Sequence, residues 1–134
     1  MVDKPTSTST RSLVAVEDFL PLTPASFHIL LVLAGGATHG YAIMQEVGHV
    51  TEGLVHLGPG TLYRSIQRLL DDGLVEEVSS AAASGNDDRR QYRLTLLGRR
   101  VACAEAGRLA VLVRAARRRG LLEPQTSSRR GANP

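Results

Sequence analysis

The pattern of apolar and polar residues along this chain predicts five helices and three strands. From Thr23, the residues Phe27, Ile29, Leu30, Leu31, Val32 and Leu33 are apolar nearly all round, as in a helix at the centre of a core. Thr23 can cap that helix, Pro24 suits its first position, and Ala34-Gly35-Gly36 stops it. A second helix spans about His39 to Val47, with Thr38 as cap and Ile43 and Val47 one turn apart. Leu54 to Leu57 reads as a short strand. Ser12 to Leu20 reads as a short amphipathic helix.

The stretch GPGTLYRSIQRLLDDGLVEE, from Gly58 to Glu77, predicts a third helix and a strand. Gly58 and Pro59 open the helix. At about 100° per residue Leu62, Ile66, Leu69 and Leu70 gather on one side. Thr61, Arg64 and Arg68 point the opposite way, with Gln67 on the flank. Gly73 after Asp71-Asp72 is a left-handed cap, and a strand runs from Leu74 to Val78. The loop SSAAASGNDD leads to a return strand, Arg90 to Leu94, in which Tyr92 and Leu94 face inward and Gln91 and Arg93 outward. Thr95 caps a last helix to about Arg119, roughly 36 Å long at 1.5 Å per residue.

Three helices, a hairpin and a long helix make a mainly α fold with a small β-hairpin wing: a winged helix-turn-helix plus a C-terminal dimerisation helix. Residues 1–21 read as an extension, disordered in part, 22–95 as the winged domain, 96–120 as the last helix and 121–134 as a disordered tail. In a helix-turn-helix the second of the paired helices enters the DNA major groove. That role falls here to the helix carrying Arg64, Gln67 and Arg68, whose apolar side holds the core.

Composition narrows the function classes. The chain has 134 residues, 43% of them hydrophobic, which fits one domain with a modest core. Only 4% are aromatic and Trp is absent, so the core is aliphatic. No apolar run reaches the ~20 residues of a membrane helix, and the start MVDKPTSTSTRS has no signal-peptide apolar region, which points to the cytoplasm and no membrane partner. One cysteine, Cys103, excludes an internal disulfide. The formal charge is only +3, but basic residues collect at Arg64/Arg68, at Arg89-Arg90 with Arg93, and at Arg114 with Arg117-Arg118-Arg119, which suits nucleic acid.

LTPASFHILLVLAGGATHGYAIMQEV, LGPGTLYRSIQRLLDDGLVEE and DDRRQYRLTLLGRR together resemble the PadR-like transcriptional regulators. His39-Gly40-Tyr41, Pro59 to Tyr63, the Gly73-Leu74-Val75 corner and Tyr92 to Thr95 with Gly98 carry the resemblance, over roughly Leu22 to Arg100. It implies a homodimeric DNA-binding repressor, joined through its C-terminal helix and released from DNA by a small molecule. With this aliphatic composition the effector is expected to be apolar. Gly58 stands where the family often has Ser. Members that sandwich flat aromatic drugs use a C-terminal Trp, which this chain lacks.

Among candidate DNA contacts, Arg64 and Arg68 suit guanine, Gln67 suits adenine, and Thr61 or Tyr63 suits phosphate. Tyr63 lies between faces and is read equally well as core packing. His39 and Tyr41 open the second helix, whose first amides suit a phosphate; the simpler reading of Tyr41 is a buried packing residue. Arg89, Arg90 and Arg93 suit the DNA backbone, or a solubilising hairpin tip. On the last helix Val101, Ala102, Ala106, Leu109, Leu112, Val113 and Ala116 form a stripe, read as a dimer interface or as a helix folded back on its own domain. Glu105 within that stripe requires an arginine partner, and the other subunit is one source of it. Gly98 and Gly107 mark close backbone approaches.

His28, His39, His49 and His56 lack metal-ligand spacing, and no nucleophile, base or phosphate loop is present; no metal, cofactor or catalytic residue is expected. Cys103 reads as an inert helix residue. A winged-helix protein-interaction adaptor that does not bind duplex DNA is the alternative function. A symmetric dimer implies a double-stranded operator with two-fold symmetry.

Overall fold

In the computed structural model, which describes residues 16–78 and 90–124, four main helices and three short strands surround an aliphatic core. Helix α1 (Pro24–Leu33) begins where Thr23 Oγ1 accepts the Ser26 N–H at 3.2 Å, with Pro24 at its first position. It ends at Ala34 and at Gly36, whose φ of 135° is open to glycine. Ile29, Leu30 and Leu33 are buried, and α1 touches every other helix, so it is central as its composition predicts. Leu31 alone of the run is turned well out to solvent.

Strand β1 (Thr38–His39) precedes helix α2 (Gly40–Val50). The cap of α2 is His39, not Thr38: its Nδ1 accepts the Ala42 N–H at 3.4 Å. Thr38 is drawn instead into a pairing with Tyr92, so its backbone is extended one residue before the helix starts.

No strand forms over Leu54 to Leu57. Thr51 Oγ1 donates to the Val47 carbonyl at 2.8 Å and accepts the Val55 N–H at 3.1 Å, which folds the chain into a turn. Leu54 projects into solvent. A four-residue apolar run with no edge to pair against has nothing to make it a strand.

Helix α3 (Pro59–Asp71) buries Leu62, Ile66 and Leu69 and breaks at Gly73, where φ is 77°. Strands β2 (Val75–Val78) and β3 (Gln91–Leu94) form the wing base. β3 is central in an antiparallel sheet of order β1-β3-β2, with Glu76 opposite Arg93 and Glu77 opposite Tyr92. Tyr92 is buried and Arg93 exposed, the alternation that the sequence predicts.

Helix α4 (Leu96–Arg118) is seated on the corner between α3 and β2. Thr95 does this by three bonds: its Oγ1 donates to the Gly73 carbonyl at 2.7 Å and accepts the Gly98 N–H at 2.9 Å, while its own N–H reaches the Leu74 carbonyl at 3.1 Å. A Cβ at Gly98 would collide with that same Leu74 carbonyl. Gly98 is therefore one of the two expected close approaches; Gly107 meets nothing within 4 Å among the described residues.

Before α1, Val16, Phe19, Leu20 and Leu22 pack against the core, and Val16 to Asp18 is helical, within the helix expected from Ser12 to Leu20. The extension before residue 16, the loop at 79–89 and the tail from 125 lie outside the described residues.

Candidate nucleic-acid interface

Helix α3 presents its polar face because its apolar one is consumed by the core. Leu62, Ile66 and Leu69 are buried, while Thr61, Arg64, Gln67 and Arg68 are exposed on the other side. Gly58 supplies no side-chain cap, so the first-turn amides of α3 keep their hydrogen-bonding capacity for a ligand. Gln67 Nε2 donates to Asp71 Oδ1 at 3.0 Å, an exposed bond that it can exchange for another acceptor.

Arg64 and Arg68 differ in setting. Arg68 borders a cleft of about 230 Å³ formed with Asp18, Phe19, Pro21, Leu22, Asp72 and Leu74, at the end of α3 nearest the N-terminal segment. Arg64, one turn earlier, stands clear of that cleft. No salt bridge joins either arginine to another described residue.

Tyr63 resolves into a contact with both readings in it. Its ring covers Gly40 at the start of α2, where any side chain would strike the phenol, yet 47% of the residue remains exposed. Tyr92 of the wing lies close by. The start of α2, the first half of α3 and the base of the wing thus meet around Tyr63.

The expectation that Tyr41 is buried fails: it is 58% exposed, on the turn of α2 after Gly40, and its Oη accepts from Gln45 Nε2 at 3.4 Å. Ile43 and Val47 already fill the inner face of that short helix, which leaves Tyr41 outward. His39 is half-buried and spends one ring nitrogen as the α2 cap, so Nε2 carries the proton of the neutral ring.

On the wing, Arg93 Nε lies 2.7 Å from Glu76 Oε2 and Arg90 Nε 3.5 Å from Glu77 Oε2. The phenol of Tyr92, on the same face as that second pair, is raised above its ordinary 10.0 by burial first and by the Glu77 carboxylate second. It therefore stays neutral. The sequence reading missed these carboxylates, though opposite charges on facing hairpin strands were the available signal. Arg89 lies outside the described residues.

The last helix divides in two. Val101 and Glu105 are buried against the chain's own domain, whereas Leu109 and Ala116 are half-buried and Leu112 and Val113 exposed. Glu105 finds its arginine on its own helix: Arg108 Nε and Nη2 reach its two oxygens, both at 2.8 Å. That carboxylate is held below its ordinary 4.5 chiefly by the Arg108 bond. The partner-subunit source is not needed.

A cleft of about 640 Å³, lined by Met44, Gly48, His49, Glu52, His56 and Leu57, opens between the end of α2 and the following loop, away from α4. Among the described residues no three His, Cys, Asp or Glu side chains are grouped to hold a metal, and no helix is long and apolar enough to cross a membrane. Cys103 is exposed on α4.

Residues 29–104 match the family model described as the transcriptional regulator PadR-like family. No curated protein matches the chain in sequence. A crystal structure of a PadR family transcription regulator from Clostridium difficile R20291 superposes with a TM-score of 0.62 at 21% identity, covering 72% of this chain and 97% of that one. A transcriptional regulator from Clostridium thermocellum gives 0.59 at 23% identity, covering 70% and 87%. At such identities the likeness speaks to the fold: a winged helix with a long C-terminal helix.

Proposed function

The chain belongs to the PadR-like family of transcriptional regulators, and from that premise we propose that it binds double-stranded DNA sequence-specifically through α3. The observation that carries this reading is the division of α3 into a buried side of Leu62, Ile66 and Leu69 and an exposed side of Thr61, Arg64, Gln67 and Arg68. Arg64 is the foremost base reader, because Arg68 stands at the far end of the helix beside the N-terminal segment. Tyr41, Tyr63 and the wing arginines Arg89, Arg90 and Arg93 flank that helix as backbone contacts. His39 contributes by fixing the start of α2.

The proposal extends to a homodimer that meets an operator of two-fold symmetry, with half-sites about one helical turn apart or a multiple of it. The outer half of α4 supports the dimer, since Leu112 and Val113 are exposed among the described residues. Repression, release by an apolar small molecule and a cytoplasmic location complete the reading, supported by the family likeness.

Selection of bound duplexes from a random pool, followed by binding of the best duplex across a salt series, tests the reading. Phosphate neutralisation makes DNA affinity fall steeply with salt. An adaptor that uses the winged fold for protein contacts would select no duplex.

A further inference from the structure

The described base of the wing, residues 75–78 and 90–94, carries as much negative charge as positive: Glu76 and Glu77 against Arg90 and Arg93. Glu76 faces Arg93 directly in the register, and Glu77 reaches Arg90 one step nearer the hairpin tip. The two pairs lie on opposite faces: Glu77 and Arg90 on the face of Tyr92, beside Tyr63 of α3, and Glu76 and Arg93 on the other. All four side chains are between 46% and 69% exposed. Exposed pairs of this kind add little to stability, so their main consequence is electrostatic. On α3, by contrast, Arg64 and Arg68 have no carboxylate paired to them among the described residues.

We infer that Glu76 and Glu77 are specificity-determining residues of the DNA-binding surface, holding Arg93 and Arg90 in neutral pairs so that the backbone contacts of these two arginines add less sequence-independent affinity than free arginines would. The inference rests on the DNA-binding reading above. A free arginine that meets a phosphate releases a counterion and steepens the salt dependence of binding. An arginine already paired must exchange one anion for another. The carboxylate it leaves behind stays well inside the screening length of about 8 Å and repels the phosphate. Discrimination then falls to α3, where neither arginine has a salt-bridge partner among the described residues.

The test compares the full-length parent with Glu76→Gln/Glu77→Gln on a random-sequence duplex and on the best selected duplex, across a salt series. The random duplex should bind the variant roughly three- to tenfold more tightly at low salt, with the salt slope steeper by about one to two units. The preference for the selected duplex should fall. Glu76→Gln alone, on the face away from Tyr92, should give about half the effect and stands in should the double variant fold poorly. Glu46→Gln/Glu52→Gln makes the same change in net charge at the end of α2 and its following loop, and should leave both quantities near the parent's. An unchanged random-duplex affinity and slope in the wing variant, or equal changes in the α2 control, overturns the inference. A parent that binds no duplex at all overturns the DNA-binding reading beneath it.

Discussion

Val101 and Leu112 stand on the same side of α4, about 20° apart by helical geometry, yet Val101 is fully buried and Leu112 is 52% exposed. One continuous face is thus covered by the chain's own domain over its first turns and outruns that domain afterwards. The fold-back reading of the apolar stripe holds for its first turns only, because a 23-residue helix is longer than the small domain beneath it, and the dimer reading becomes a proposal for the outer half.

The dimer prediction therefore narrows to the outer half. Leu112→Glu/Val113→Glu should sediment as a monomer whose helical content is retained, because neither side chain supports the core. Removing the whole helix would be uninformative, since Val101 and Glu105 belong to the domain's own packing. A double variant that still sediments as a stable dimer would locate the interface elsewhere.

Gly98 and Gly40 should respond differently to alanine. At Gly98 the new methyl meets the backbone carbonyl of Leu74, which cannot move without lifting α4 from the α3–β2 corner. A loss of about 1–3 kcal/mol or more is expected by denaturant unfolding. At Gly40 the methyl meets the end of the half-exposed Tyr63 side chain, which can swing aside, so Gly40→Ala should change stability by less than about 1 kcal/mol. Equal losses at both sites would contradict this assignment.

Glu105→Gln should lower stability at pH 7 by about 1–3 kcal/mol, the value of hydrogen bonds to a charged group. The folded-state value is depressed, so the carboxylate's contribution is fully present above its unfolded value of 4.5 and is lost as pH falls through the folded one. The gap between parent and variant should be constant at neutral pH, narrow below about 4.5 and close at lower pH. A gap that widens in acid would reverse the sign of the argument.

Elements with strong local signals were legible in the sequence. Thr23-Pro24, Pro59, Gly73 and Thr95 carry their own boundary chemistry, and the Tyr92/Arg93 alternation needs only the pleat. What was not legible depends on partners distant along the chain. β1 exists because β3 offers it an edge, which moves the α2 cap from Thr38 to His39. Leu54 to Leu57 lacks such an edge and stays a loop. Tyr41 lies outward because α2 is short and already filled by Ile43 and Val47, and the arginine that Glu105 requires stands three residues on in its own helix. Arg64 and Arg68 look alike on a helical projection; only the packing of the N-terminal segment separates them.

That α3 reads DNA is tested most directly by Arg64→Ala/Arg68→Ala, measured against the parent's best duplex at one fixed salt concentration. Both side chains are exposed and neither supports the core, so the variant should fold and sediment as the parent does. Ile66→Ala supplies the contrast, with a stability loss of roughly 2–5 kcal/mol through the cavity it leaves in the buried face. Loss of a base-reading arginine should weaken binding by about 1–3 kcal/mol and relax preference at one operator position, chiefly through Arg64. A folded double variant that binds the same duplex as tightly as the parent would contradict the account.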